Sequence, residues 1–189
     1  QELALSWIEL STGKFGTANT SAENLSSDLS RIEPSELILS QSSLEQEFAR
    51  DALSGLKIAV TPLPGNLFDS ASAEKQLCEY FGVKSMDGFG TYSKCELTAA
   101  AAILAYVEKT QLAEKPALSP PQSQSSTDVM LIDAATRINL ELSKTLSGER
   151  QGSLLKAIDR TITGPGAREL ASRLMAPLIS KTAIMQRLD

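Results

Sequence analysis

Histidine is missing from all 189 residues, which removes together the commonest general base and the commonest metal ligand of proteins. There are only two cysteines, Cys78 and Cys95. Both fall inside helical patterns and read as small core hydrophobes, reduced thiols of a cytosolic protein rather than a disulfide framework. No apolar run approaches the roughly 18 residues of a membrane span, and no signal-peptide pattern opens the chain. Basic charge is scarce at the start: residues 1–110 carry 8 Lys/Arg against 15 Asp/Glu, whereas 111–189 carry 10 against 8. A segment of net charge −7 should not hold DNA by its phosphates. The mild basicity of the remainder is what solvated helix faces look like. Phosphate loops are lacking too, since TGPGAR and DGFG fit neither GxxxxGK[ST] nor a strand followed by GxGxxG and read as turns.

What is present suffices for one to two domains with a real core, at 42% hydrophobic residues. The chain opens at Gln1 inside a strand pattern, which reads as a fragment of a longer protein. Leu3–Leu10 and Lys14–Asn19 around the turn STG predict a hairpin. Thr20 with Glu23 has capping-box spacing ahead of a stripe at Leu25, Leu29 and Ile32, which Pro34 ends. ELILS (36–40) predicts a buried strand, and Ser42 with Glu45 a second capping box for a helix with Leu44, Phe48 and Ala52 inward, ended by Gly55. KIAVT predicts a third buried strand, Ser70–Phe81 a helix closed by Gly82, and Leu97, Ala101, Leu104 and Val107 a long Ala-rich helix. Strands alternating with helices imply an α/β sheet with some parallel pairing. Residues 112–127 hold Pro116, Pro120 and Pro121 in a Ser/Gln tract, which predicts an extended, mobile linker cut first by protease near Ser119–Thr127.

The last third organises the rest. Val129–Ile132 is a short apolar run read as a strand, and Asp133 stands where a carboxylate accepts the free N–H groups of a helix starting at Ala134. Ala135, Ile138, Leu142 and Leu146 share one face of that helix and Leu140 the other, so it needs cover on two sides. Gly148 and Gly152 bracket a turn, Ser153 caps a helix with Leu155, Ile158 and Ile162 inward, and Pro165 sits in the first turn of another, with Ala167, Leu170, Ala171 and Leu174 inward until Pro177. Apolar surface is expected to stay exposed here and to pack back on the first domain or on a second copy.

The LIDAATRINLEL run, the turn at Leu146 to Gly148, GSLLKAIDRTIT, G(A)REL and PLI…I..RLD, in this order, resemble the start of the core domain of the MutS family of DNA mismatch-repair ATPases. LSTGKF, PSEL, the residues around 68–83, DGFG and LAYVEKTQ resemble the connector domain that precedes it in that family. The resemblance covers nearly the whole chain. It implies an α/β ribonuclease-H-like connector domain lacking its first strand (1–111), a linker (112–127) and the N-terminal part of a mainly α-helical core domain (128–189). It further implies a non-catalytic, cytoplasmic fragment that relays conformational state between mismatch-binding and ATPase domains. Its partners would be the remaining MutS domains, a MutL-type protein docked on the connector domain, and mismatched DNA through the full-length protein alone. The parent would be a homodimer and would hold ATP and Mg.

Two other readings stand beside this one. A ribonuclease-H-like nuclease needs acids converging at strand ends, but the strand end at LILSQSS offers Ser40 and Gln41, and Glu23 and Asp28 have no acidic partner. A helix-turn-helix DNA reader would use Arg168 and Arg173, but Glu169 pairs with Arg173 at i, i+4 and solvates that face. No catalytic, cofactor-binding or metal-binding residue is carried over: the Walker motif and the Phe–x–Glu mismatch-reading element of the family do not occur in these residues.

Overall fold

The fold is taken from a computed structural model that describes residues 2–54, 56, 58–110, 116–124 and 129–188. Two compact units emerge, Gln1–Leu25 with Pro34–Ser125, and Ser26–Glu33 with Ser126–Asp189.

The first unit grows from the expected hairpin. Strands β1 (Leu3–Glu9) and β2 (Lys14–Thr20) pair antiparallel from Leu3↔Thr20 to Glu9↔Lys14. Their turn closes with the Thr12 and Gly13 amides donating to the Glu9 carbonyl. Gly13 has φ +72°, and a Cβ there would lie 2.3 Å from the carbonyl oxygen of Ala117, so glycine is required on two counts. Gly16 faces Trp7, whose indole lies where a Cβ would be, 2.4 Å away.

The chain then leaves for α1 (Leu25–Ile32), which packs in the second unit. The Thr20–Glu23 box does not start it. Ser21 does, accepting from the Asn24 and Leu25 amides through its carbonyl. Back in the first unit, β3 (Glu36–Ser40) and β4 (Ala59–Leu63) pair parallel from Glu36↔Ala59 to Ser40↔Leu63. Between them run α2 (Gln41–Leu44) and α3 (Glu47–Leu53) in place of one helix. Capping falls two residues earlier than expected because Ser40 Oγ accepts from the Ser43 amide at 3.0 Å, and the extended backbone of Gln46 (ψ 147°) then separates the two turns. Gly55 and Lys57, expected at the helix end and strand start, lie outside the described residues.

Two helices complete the unit. α4 (Ala73–Phe81) ends at Gly82, left-handed at φ 69° as expected. α5 (Lys94–Thr110) buries Ala100, Ala101, Ala102, Leu104 and Val107. Small residues let its backbone approach the sheet and α4, and Leu77, Met86 and Phe15 fill the space between.

The Pro/Ser tract departs from expectation. Residues 112–115 and 125–127 lie outside the described residues, but 116–124 is docked. Gln122–Ser123 forms β5, parallel to β2, making the three-stranded order β1-β2-β5. The Ser119 amide donates to the Gly13 carbonyl and the Gln124 amide to the Thr17 carbonyl, both at 2.8 Å. The Tyr80 and Tyr92 hydroxyls donate to the Pro116 and Pro121 carbonyls. Pro121 is fully buried, and Leu118 packs on the core. Proline is tolerated because the segment is an edge strand that needs few of its own N–H groups.

In the second unit the expected strand at 129–132 is a single antiparallel bridge, Val129↔Leu178. Asp133 does cap α6 (Ala134–Asn139), accepting from the Thr136 amide at 2.9 Å. The helix stops there, and the expected stripe to Leu146 does not form. Glu141 turns left-handed (φ 48°), and its carbonyl and that of Leu142 accept from the Leu154 and Leu155 amides. Leu142 and Leu155 are thereby buried while Ile138, Leu140 and Leu146 stay exposed. Ser153 caps α7 (Leu154–Ile158), and Thr163 caps α8 (Gly164–Met175) with Pro165 in its first turn. α9 (Lys181–Leu188) follows. Ile158 and Ile162, expected inward, are exposed, Ile162 completely. Of fourteen exposed large hydrophobics among the described residues, twelve lie in 129–188, which meets the expectation of uncovered apolar surface in this segment.

These contrasts set a test. Leu77, 0% exposed, should lose about 2–5 kcal/mol on truncation to alanine. Ile162→Ser, at 100% exposure, should stay within about 0.5 kcal/mol of the parent. Urea unfolding of both variants followed by circular dichroism measures the difference, and equal losses would contradict the packing described.

Candidate functional site

The residues weighed for a nuclease hold structural posts. Ser40 Oγ is the centre of a local hydroxyl cluster with Ser42 and Ser43, Gln41 opens α2, and Asp28 pairs with Arg31 on α1 at 3.4 Å. Glu23 is exposed. Among the described residues no three His, Cys, Asp or Glu side chains come together as metal ligands would. On α8, Arg173 Nε donates to Glu169 Oε1 at 2.8 Å, as the spacing predicted, and the Arg168 guanidinium folds toward Gly164. A cleft of about 400 Å³ at the start of that helix is lined by Arg150, Lys156, Asp159 and Thr161 among others. Within it Arg150 Nη2 reaches Asp159 Oδ2 at 3.2 Å.

The chemistry of the first unit concentrates instead on Glu96, which the sequence reading passed over. Its side chain is 1% exposed. Thr17 Oγ1 donates to Oε1 at 2.9 Å and Ser123 Oγ to the same oxygen at 2.6 Å. Asn19 Nδ2 at 3.0 Å and the Ser93 amide at 2.9 Å donate to Oε2. In return Ser93 Oγ accepts from the Glu96 amide at 3.1 Å. Ser93 and Glu96 are thus a capping box at the start of α5, a signal present in the sequence as S-x-x-E. Burial pushes the carboxyl pKa up, but the bonds from Ser123, the Ser93 amide and Thr17 outweigh it and hold the pKa below the usual glutamate range. Tyr92 and Tyr80 are pushed up, chiefly by burial, so both phenols remain donors.

A second buried charge, Arg137, organises the second unit. At 5% exposure its Nε donates to the Ile132 carbonyl at 3.1 Å and its Nη1 to that of Met175. A cation thus closes the C-terminal end of α8, where carbonyls lack helical partners. Desolvation and the nearby Arg31 lower its pKa, opposed by Asp28, Glu33 and Asp133.

The arrangement defines a class before it defines a member: a mixed α/β unit followed by a helical unit, in which the buried charged groups bind backbone and side chains of the protein itself. Comparison with known proteins gives the member. A family model for MutS domain II matches residues 1–121, and one for MutS domain III matches 135–189. The chain is 52% identical over 186 residues to the DNA mismatch repair protein MutS of Rhizobium meliloti, covering 98% of this chain and 20% of that protein. To the DNA mismatch repair protein MutS of Azorhizobium caulinodans it is 50% identical over 188 residues, again 20% of the relative's length. The chain belongs to the MutS family of DNA mismatch-repair proteins and spans about one fifth of the length of these relatives.

Glu96 yields a pH test. Because its pKa is depressed in the folded chain, its contribution to stability is fully present above the unfolded glutamate value of about 4.3 and is lost as pH falls through the lower, folded value. Glu96→Gln should cost about 1–3 kcal/mol at pH 7, since an amide cannot accept from four donors, and should flatten the acid side of the stability–pH curve. Urea midpoints measured from pH 3 to pH 7 check this. An unchanged acid limb in the variant would refute the role given to the carboxylate.

Proposed function

We propose that this chain is the non-catalytic connector-and-core portion of a MutS-type mismatch-repair protein. In this reading residues 1–111 are the connector domain, 112–127 the junction and 128–189 the start of the core domain. The observation that carries it is the succession of two family matches, domain II then domain III, along one chain. At finer grain the first unit is ribonuclease-H-like without its first strand. The antiparallel hairpin followed by a parallel strand–helix–strand pair supports that reading.

The role is mechanical: the chain relays state between the mismatch-binding and ATPase parts of the parent protein and offers a docking surface for MutL. An α/β unit and a helical unit, each tied together by a buried charged group, suit rigid-body transmission. The parent protein would be a cytoplasmic homodimer, and ATP, Mg and mismatched DNA would be bound by its other domains. Among the described residues no helix is long and apolar enough to cross a membrane.

Incubated with ATP, or with an RNA–DNA hybrid and Mg²⁺ or Mn²⁺, the chain should give background turnover only, and robust metal-dependent cleavage would overturn the non-catalytic reading. Its binding to duplex DNA should be weak, indifferent to a mismatch and lost as salt rises to physiological levels, because its net charge is −5. Fluorescence anisotropy with matched and mismatched duplexes checks this, and a mismatch preference that persists at that salt would refute it. Docking is tested by titrating purified MutL onto the immobilised chain. Saturable binding supports the surface, and no binding at concentrations where the full-length protein binds MutL removes it.

A further inference from the structure

We propose that segment 116–124 is a releasable strap, which docks on β2 and comes away without unfolding the unit it docks on. Two observations carry this. The first is how the strap is held: beyond its ladder to β2, by backbone hydrogen bonds from Ser119 to Gly13 and from Gln124 to Thr17, by tyrosine hydroxyls, and by Ser123 Oγ on Glu96. Its strand pairing extends over two residues. Leu118 and Pro121 are its apolar anchors, while Ala117, Ser119, Gln122, Ser123 and Gln124 remain exposed. Segments with few buried apolar contacts on a sheet edge open at the low end of the local stability range.

The second observation is what release leaves behind. A buried carboxylate that lost its sole donor would resist the change, because an unpaired buried charge is expensive. Glu96 is not in that position. When Ser123 departs, Thr17, Asn19 and the Ser93 amide still donate to it, and all three belong to elements that stay in place. The hydroxyls of Tyr80 and Tyr92 are at half-buried positions, where water can replace the proline carbonyls. The site is therefore satisfied in both states, which is what a two-state element needs. Docked, residues 116–124 belong to the first unit. Released, residues 116–124 add roughly 30 Å of reach at full extension. The segment thus sets a tether of two lengths, whether or not the relay proposed above operates through it.

Amide hydrogen exchange on the full 189-residue chain tests this. The Ser119 and Gln124 amides should exchange at least tenfold faster than the slowest amides of the β1–β2 ladder. Ser123→Ala and Tyr92→Phe each remove one hydroxyl from the strap's attachments and leave the other bonds to Glu96 intact. Each should speed exchange at Ser119 and Gln124 by severalfold, with the ladder amides unchanged, and the double variant should speed it further. If the two strap amides exchange in step with the ladder in the parent chain, or if the variants accelerate strap and ladder together, the strap is an integral strand and the proposal fails. Strap amides that neither variant affects would also overturn it.

Discussion

A single buried carboxylate ties together the middle strand, the start of α5 and the docked 116–124 segment of the first unit. Glu96 receives hydrogen bonds from the middle strand through Thr17 and Asn19, from its own helix start through the Ser93 amide, and from the 116–124 segment through Ser123. Low dielectric makes such a site demanding, because a charge out of water is tolerated when its lone pairs are filled and is expensive when they are not. The demand is mutual. Thr17 is itself fully buried, and with an apolar residue at position 96 its hydroxyl would have to find another acceptor inside the core. Order in the hairpin, the first turn of α5 and the docked segment therefore depends on one acidic side chain.

The second unit reaches a similar end with the opposite charge. Arg137 gathers carbonyl groups of Ile132 and Met175, one ahead of α6 and one at the end of α8, and Leu29, Leu142, Leu155 and Met175 supply a small buried set around α1, α6, α7 and α8. The planar guanidinium suits this task better than a lysine, since it donates in two directions from a fixed fork. Most of the exposed apolar side chains lie in this unit, so the polar pin carries a larger share of its organisation than Glu96 does where Leu77, Met86 and Leu104 already fill a core.

Family membership was legible in the order of sequence blocks across nearly the whole chain, and the matches to MutS domains II and III agree with it. The sites were less legible. Ser93 and Glu96 have capping-box spacing in plain view, yet the same spacing at Thr20–Glu23 and Ser42–Glu45 produced no such box in the fold. Three candidates look alike in sequence. What separates them is that Glu96 has Thr17 and Asn19 above it, and those lie 79 and 77 residues away.

The sequence by itself determined the points where local chemistry decides conformation: Asp133 and Ser153 as caps, Gly82 as a helix end, Gly148 and Gly152 as turn residues, and Pro165 in a first helical turn. Each of these is settled by groups within a few residues, so spacing alone is enough. Tertiary structure decided the rest. It ended α6 at Asn139, where the Glu141 and Leu142 carbonyls accept from the Leu154 and Leu155 amides instead of from a continuing helix, and it converted a proline-rich stretch expected to be a free linker into an edge strand. In both cases the deciding partner is remote along the chain, and local propensity, worth less than about 1 kcal/mol per residue, yields to the burial and hydrogen bonding that the remote partner supplies.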